Sequence, residues 1–302
     1  MRGIVLSRLI GLLIVLFLPL YAFGAEPIQL KYASSLYSDG SGTSLNRPEG
    51  IACNENIVVV ADTGNGRLVF YTREGGEARG GKEIKLPQIV YPTRVAINSK
   101  GDIYVLDGRL RKVARISPDG AFQAFVETSD LTTQSMIVPA GISLDREDNL
   151  YVLDLLGGEV LVINPDGKFL RRIDFPKEYG FITDLTVDPQ GTVFVVDGAK
   201  SIVYSNAKDQ AVFSPITGTL KDDLKFPSNI ITDKRGRLFI SDQNSGGVVV
   251  VGEDGTLQNR IFSLGWKEGT VRYPAQLCID NKGNVFVADR DNSRIQEFTP
   301  LK

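Results

Sequence analysis

The 302-residue chain contains no histidine, only two cysteines, two methionines and one tryptophan. Without imidazole there is no histidine base, no histidine zinc ligand and no Ser/His or Cys/His dyad, so most familiar hydrolase mechanisms are excluded. Cys53 and Cys278 are too few and too far apart for a four-thiolate zinc site, a redox Cys-x-x-Cys or a disulfide scaffold. An excess of charge of one sign is missing as well: 34 Lys+Arg stand against 36 Asp+Glu, a formal net charge of −2. That balance argues against a nucleic-acid partner. What is present, 42% hydrophobic residues with 31 Gly and 14 Pro, is the composition of a folded globular chain.

Arg2 and Arg8 flank the start of an uncharged run from Leu9 to Ala25, interrupted by Pro19 and followed by Ala22-Phe23-Gly24. A charged start, a short apolar core and small residues at the cleavage positions read as an export signal removed after Gly24. Residues 1–24 are therefore expected to be a signal peptide and residues 25–302 the mature chain, in a periplasmic or secreted location. Left uncleaved, residues 9–25 would instead anchor the protein in a membrane. Loss of the two arginines makes the mature chain more acidic still, again disfavouring nucleic acid.

One pattern recurs through the rest: a Pro, a short apolar strand, a polar turn, a second apolar strand and an Asp. It reads PEGIACNENIVVVAD (48–62), PTRVAINSKGDIYVLD (92–107), PAGISLDREDNLYVLD (139–154), ITDLTVDPQGTVFVVD (182–197), PSNIITDKRGRLFISD (227–242) and PAQLCIDNKGNVFVAD (274–289). The closing Asp residues are 62, 107, 154, 197, 242 and 289, a period of about 45 residues. Within a unit, turns such as SKGD, PQGT and NKGN mark antiparallel hairpins, and third and fourth strands follow. The strands are apolar on both faces, as in sheets stacked face to face around an axis. The expected fold is all-β, a six-bladed β-propeller of four-stranded antiparallel blades. The last unit stops after its third strand, and the strand-like IQLKYASSLY (28–37) precedes the first unit. That N-terminal strand is expected to complete the last blade and close the ring.

These residues resemble NHL repeats. RPEGIAC…VVVADTGNGRLVFY and YPAQLCIDNKGNVFVADRDNSRIQEF follow the family's Pro-x-Gly-apolar-Ala-apolar-Asp strand and its Asp-x-x-Asn-x-Arg turn, with Asp62, Asn65 and Arg67 in the first unit and Asp289, Asn292 and Arg294 in the sixth. Units two to five depart after the Asp. The resemblance implies the propeller and no particular activity, because propellers of this kind serve unrelated tasks. Gluconolactonase-like and paraoxonase-like propellers hold a divalent cation at the axis on Glu, Asp and Asn oxygens. By that resemblance Glu49, Asp184 and Asn229 are candidate calcium ligands of a lactonase or esterase, the alternative to a chain that needs no cofactor.

The six Asp residues read as structural, accepting N–H groups of the following turn, with Arg67 and Arg294 fastened to the turns of their own blades. The positions one and two after the repeat Pro open the innermost strands. There Glu49, Arg94, Asp184, Asn229 and Gln276 make the channel mouth polar and asymmetric, which suits a ligand or peptide contact; the alternative is a hydrated channel whose polar groups bond each other. Arginines gather near the mouth of units six, one and two, among them Arg47, Arg109, Arg111, Arg272 and Arg290. Glu159, Glu178, Asp184, Asp222 and Asp223 fall in units three to five, a split that would orient an anionic partner; locally paired surface charges are the alternative. Cys53 and Cys278 sit on neighbouring innermost strands, either as a disulfide stapling the closure or as two buried thiols. Trp266 is an exposed anchor or the cover of a blade edge. The expected function is non-catalytic binding or scaffolding through the channel-mouth face, with an extracytoplasmic protein, peptide or glycan as partner.

Overall fold

The computed structural model describes residues 27–127, 136–207, 210 and 212–301. The expected signal segment, 1–24, and its alternative as an anchor lie outside the described residues. Among those described, no helix is long and apolar enough to cross a membrane.

The strands form six four-stranded antiparallel sheets. Blades 1 to 5 span residues 50–84, 92–125, 139–174, 182–215 and 227–261, each running from the axis outward in chain order. Blade 6 takes three strands from residues 274–300 and its outer strand from Leu30–Leu36. That strand pairs antiparallel with Arg294–Pro300, from Leu30 opposite Pro300 to Leu36 opposite Ile295. The beginning of the chain thus covers an edge that would otherwise present unpaired backbone groups, and it closes the ring.

Burial follows the distance from the axis. Every residue of the second strands Ile103–Asp107, Leu150–Asp154, Val193–Asp197, Leu238–Asp242 and Val285–Asp289 is buried. In the outer strands Phe169–Asp174 and Leu257–Ile261 only Ile173 and Ile261 are buried. The core is accordingly divided into six apolar clusters, each shared by two adjacent blades. Leu153 and Val162 of blade 3, for example, meet Leu185 and Val195 of blade 4. At about 1.5–3 kcal/mol for each fully buried aliphatic side chain, these clusters dominate the cohesion of the ring. Ile182, which replaces the repeat Pro, is fully buried in the same cluster.

Hairpins are closed by a side chain at the end of each innermost strand. Asn54, Asn98, Asp145, Asp188, Asp233 and Asp280 each accept two backbone N–H groups of the turn that follows. At the closure, Cys53 and Cys278 form a disulfide between the innermost strands of blades 1 and 6, with Cα atoms 6.0 Å apart.

Candidate functional site

The innermost strands begin, and the second strands end, on the same side of the ring, called the top face. The repeat Asp residues organise it. Asp107 accepts the N–H groups of Val90 and Tyr91 from the incoming loop and of Arg109 and Leu110 from the outgoing turn. Asp154, Asp197 and Asp242 likewise gather backbone N–H groups from both segments. Asp62 and Asp289 bind Arg67 Nε and Arg294 Nε, each at 2.7 Å. The carboxylates are thus structural fasteners, a role residue type and spacing had suggested.

At the axis, the side chains two positions after the repeat Pro turn inward and bond to the inner edges of the blades. Gln276 Oε1 accepts the N–H groups of Ile51 and Val95, and its Nε2 donates to the Val95 carbonyl. Asn229 Oδ1 accepts Leu277 N–H, and Asn229 Nδ2 donates to Asp184 Oδ2, which also accepts Ile230 N–H. Ile51, Val95, Ile230 and Leu277 occupy the same repeat position, the third after the Pro, so three side chains saturate edge amides converging from four blades. Glycine in blade 3 leaves the space: a β-carbon on Gly141 would run into Asp184 Oδ1.

Arg94 lies over this layer, donating to the carbonyls of Thr93 and Ser228, with its Nε 3.9 Å from Asp184 Oδ1. Burial pushes the Asp184 carboxyl above the ordinary carboxylate range, and Arg94 and the Asn229 amide offset part of that shift. Glu49 is directed elsewhere, its Oε1 accepting Arg290 Nε at 2.9 Å. Of the five channel-mouth residues, the fold therefore brings together Arg94, Asp184, Asn229 and Gln276 as a closed polar plug and leaves Glu49 on the rim.

The same geometry bears on calcium, which takes six to eight oxygen ligands. Asp184 and Asn229 are neighbours, but their oxygens already accept amide protons or face a guanidinium, and the Glu49 carboxylate belongs to Arg290. These residues do not fit a calcium site. Among the described residues, no group of three or more His, Cys, Asp or Glu is placed to hold a metal. Beneath the plug an axial cavity of about 250 Å³ reaches from Asp184, Asn229 and Gln276 to the far strand ends at Ile97, Leu144, Val187, Thr232 and Ile279, with the disulfide in its wall.

The top surface around the plug divides in two. Arg47, Arg109, Arg111 and Arg272, on blades 6, 1 and 2, are exposed, and Arg109, Arg111 and Arg272 make no ion pair among the described residues. Arg67, Arg94, Arg290 and Arg294 are instead largely buried in pairs. The acidic half expected in units three to five is not an acidic surface. Asp184 lies at the axis, and Glu159, 6% exposed, faces Arg172 at 3.6 Å. Of these five carboxylates only Glu178 and Asp222 are exposed; Lys177, Lys221 and Lys225 are exposed on the same connections, and Met136, Leu156, Tyr179 and Phe181 add exposed apolar side chains to this half. Trp266 is 76% exposed and covers no edge.

A further feature escaped the sequence reading. The residue before each innermost strand's Pro, or Ile182, is Arg47, Tyr91, Val138, Phe181, Phe226 or Tyr273, a collar around the plug. Arg109 lies over the Tyr91 ring at 5.8 Å and Arg290 over Tyr273 at 4.5 Å. The aromatic residue preceding the repeat Pro was the available signal.

The NHL repeat family is matched over residues 271–298. No curated protein matches the sequence. Solved structures similar to the chain include a gluconolactonase of Xanthomonas campestris, 16% identical, with 92% of this chain and 96% of that one covered and a TM-score of 0.67. A streptogramin B lyase is 14% identical over 91% of this chain and 98% of its own, with a TM-score of 0.63. A catalytically inactive histidine-to-alanine variant of virginiamycin B lyase from Staphylococcus aureus, in complex with quinupristin, is 13% identical over 91% and 100%, also with a TM-score of 0.63. At such identities the likeness shows the shared propeller fold, which some enzymes use.

Proposed function

We propose that this chain is an exported, non-catalytic propeller that docks a protein partner on its top face. The observation carrying this reading is where the large exposed side chains lie. Of the thirteen exposed large apolar residues among those described, eight (Tyr37, Leu110, Met136, Leu156, Tyr179, Phe181, Leu264 and Trp266) belong to top-face connections, the face that also carries the exposed arginines. Aromatic residues, Met and Arg are the types enriched in protein interfaces, and Lys and Glu are depleted there. The Cys53–Cys278 disulfide supports an oxidising compartment.

The enzyme readings have less behind them. The lyase variant of similar fold is inactive for want of one histidine, and this chain has none. The calcium-dependent lactonase reading lacks a free oxygen set at the axis. The test is site-specific photocrosslinking of the full-length protein in the cells that make it. A crosslinker at Phe181 or Trp266 should give a discrete protein adduct, and one at Leu170 or Leu257, away from the top face, should not. Equal crosslinking from both sets, or calcium-dependent turnover of a lactone abolished by Glu49→Gln, would overturn the proposal.

A further inference from the structure

The position four residues after each repeat Asp has a left-handed backbone in every blade: Gly66 (φ 60°), Arg111 (55°), Gly158 (67°), Ser201 (54°), Gly246 (59°) and Ser293 (50°). Glycine suits this conformation and a β-carbon disfavours it. The two serines have local structural uses. Ser201 is buried and its Oγ donates to the Leu224 carbonyl, and Ser293 Oγ accepts Arg47 N–H. Arg111 has no such use: its side chain is exposed, with no hydrogen bond or ion pair among the described residues.

Among the described residues no carboxylate is paired with Arg111. Arg109 and Lys112 are exposed beside it, and the only carboxylate of the turn, Asp107, is filled by four backbone N–H groups. Leu110, between the arginines, is 40% exposed. Exposed apolar side chains begin next door: Ile137, adjacent to exposed Met136, packs in one cluster with Leu106 and Val113, which flank this loop. A long cation held in a left-handed conformation, with no hydrogen bond or ion pair among the described residues, points to a partner.

We infer that the blade 2 loop Arg109–Lys112 grips an acidic segment of a protein partner, with carboxylates on Arg109 and Arg111 and apolar side chains on Leu110 and the Met136–Leu156 patch. This rests on the top face being the docking surface. Arginine suits such carboxylates because its planar fork donates two parallel hydrogen bonds.

The test measures binding of fluorescent twelve-residue peptides of alternating Glu and Leu, with Gln/Leu peptides and polygalacturonate as comparisons, together with the melting temperature of each protein variant. The Glu/Leu peptide is expected to bind at least about fivefold more tightly than the Gln/Leu peptide, and less so as salt is raised. Arg111→Gly should weaken it about tenfold while raising the melting temperature, because glycine fits the left-handed position. A lowered melting temperature would mean that Arg111 serves the loop itself, and polygalacturonate bound in place of the peptides would mean a glycan; either overturns the inference. Binding lost in Phe181→Ser but unchanged in Arg111→Gly would remove this inference and keep the docking face. Binding unchanged in both would remove both.

Discussion

In blades 1 and 6 the repeat Asp holds side chains of its own turn and one N–H of the incoming loop, whereas in blades 2 to 5 the same carboxylate is satisfied chiefly by backbone, Asp242 also accepting the Ser245 hydroxyl. Asp62 takes Asn65 Nδ2 and Arg67 Nε, and Asp289 takes Asn292 Nδ2 and Arg294 Nε, around a short 3₁₀ turn. In the middle blades the carbonyls of Asp107, Asp154, Asp197 and Asp242 instead accept the N–H four residues on, and their carboxylates collect turn amides. The blade 6/1 interface carries further bonds of the same kind. Arg73, on blade 1, reaches Asp280 at 2.5 Å and Glu297 at 3.4 Å on blade 6 and lies over Phe286, all buried. Arg67 also binds Asp39 of the segment joining the N-terminal strand to blade 1. The interface between blades 3 and 4 relies chiefly on its apolar cluster. The difference follows from chain continuity, since at the closure the two ends of the chain meet and specific bonds set the register of their pairing.

The largest effect that separates the two regions comes from removing the lock. Arg67→Met leaves Asp39 and Asp62 buried without their cation and should cost about 3–5 kcal/mol in denaturant unfolding. Lys112→Met, at the same repeat position in blade 2 but exposed, should change stability by less than about 0.5 kcal/mol. Equal losses from the two variants would dissolve the distinction.

Next in size is the covalent staple. Replacing Cys53 and Cys278 together by Ala should lower stability by about 2–4 kcal/mol, read as a denaturation midpoint that no longer shifts when reductant is added. An unchanged midpoint would show that the ion pairs alone hold the closure.

The smallest effect concerns pH and has opposite signs at the closure and the axis. Asp39 is held down at about 2 by the Ser41 hydroxyl, against burial, and by Thr43 N–H and Arg67. Its stabilising contribution is complete above the ordinary carboxylate range and is lost as pH falls toward 2. Burial raises the Asp184 carboxyl, so there the folded state binds the proton more readily and loses stability as pH rises from the ordinary carboxylate value through the raised one. Stability measured between pH 2 and 7 should fall less steeply toward low pH in Asp39→Asn, and should lose part of its decline above the ordinary carboxylate value in Asp184→Asn, other carboxyls contributing the rest. The same profile in both variants would contradict the assignment.

Much of the ring was legible before any coordinates. The period ending in Asp62, Asp107, Asp154, Asp197, Asp242 and Asp289 reports a local unit, and hydrophobicity on both strand faces reports stacking, so blade number and closure follow. The axial residues were legible as positions, and their bonding partners were not. Polar Arg94, Asp184, Asn229 and Gln276 look like a ligand-facing ring, yet they complete the hydrogen bonding of strand edges. Gly141 is part of the same device, because the Asp184 carboxylate occupies the space its side chain would need.

From sequence alone came the repeat, the strand order, the two-ended last blade and the neighbouring cysteines, all properties of short segments whose hydrophobic pattern is read in place. Tertiary structure alone decided which charges are spent and which are available. Gln276 meets Val95 across 181 residues, Glu49 meets Arg290 across 241, and Arg111 makes no hydrogen bond or ion pair among the described residues. A side chain's partner is set by which blades converge on it in space, and a linear period carries no record of that distance.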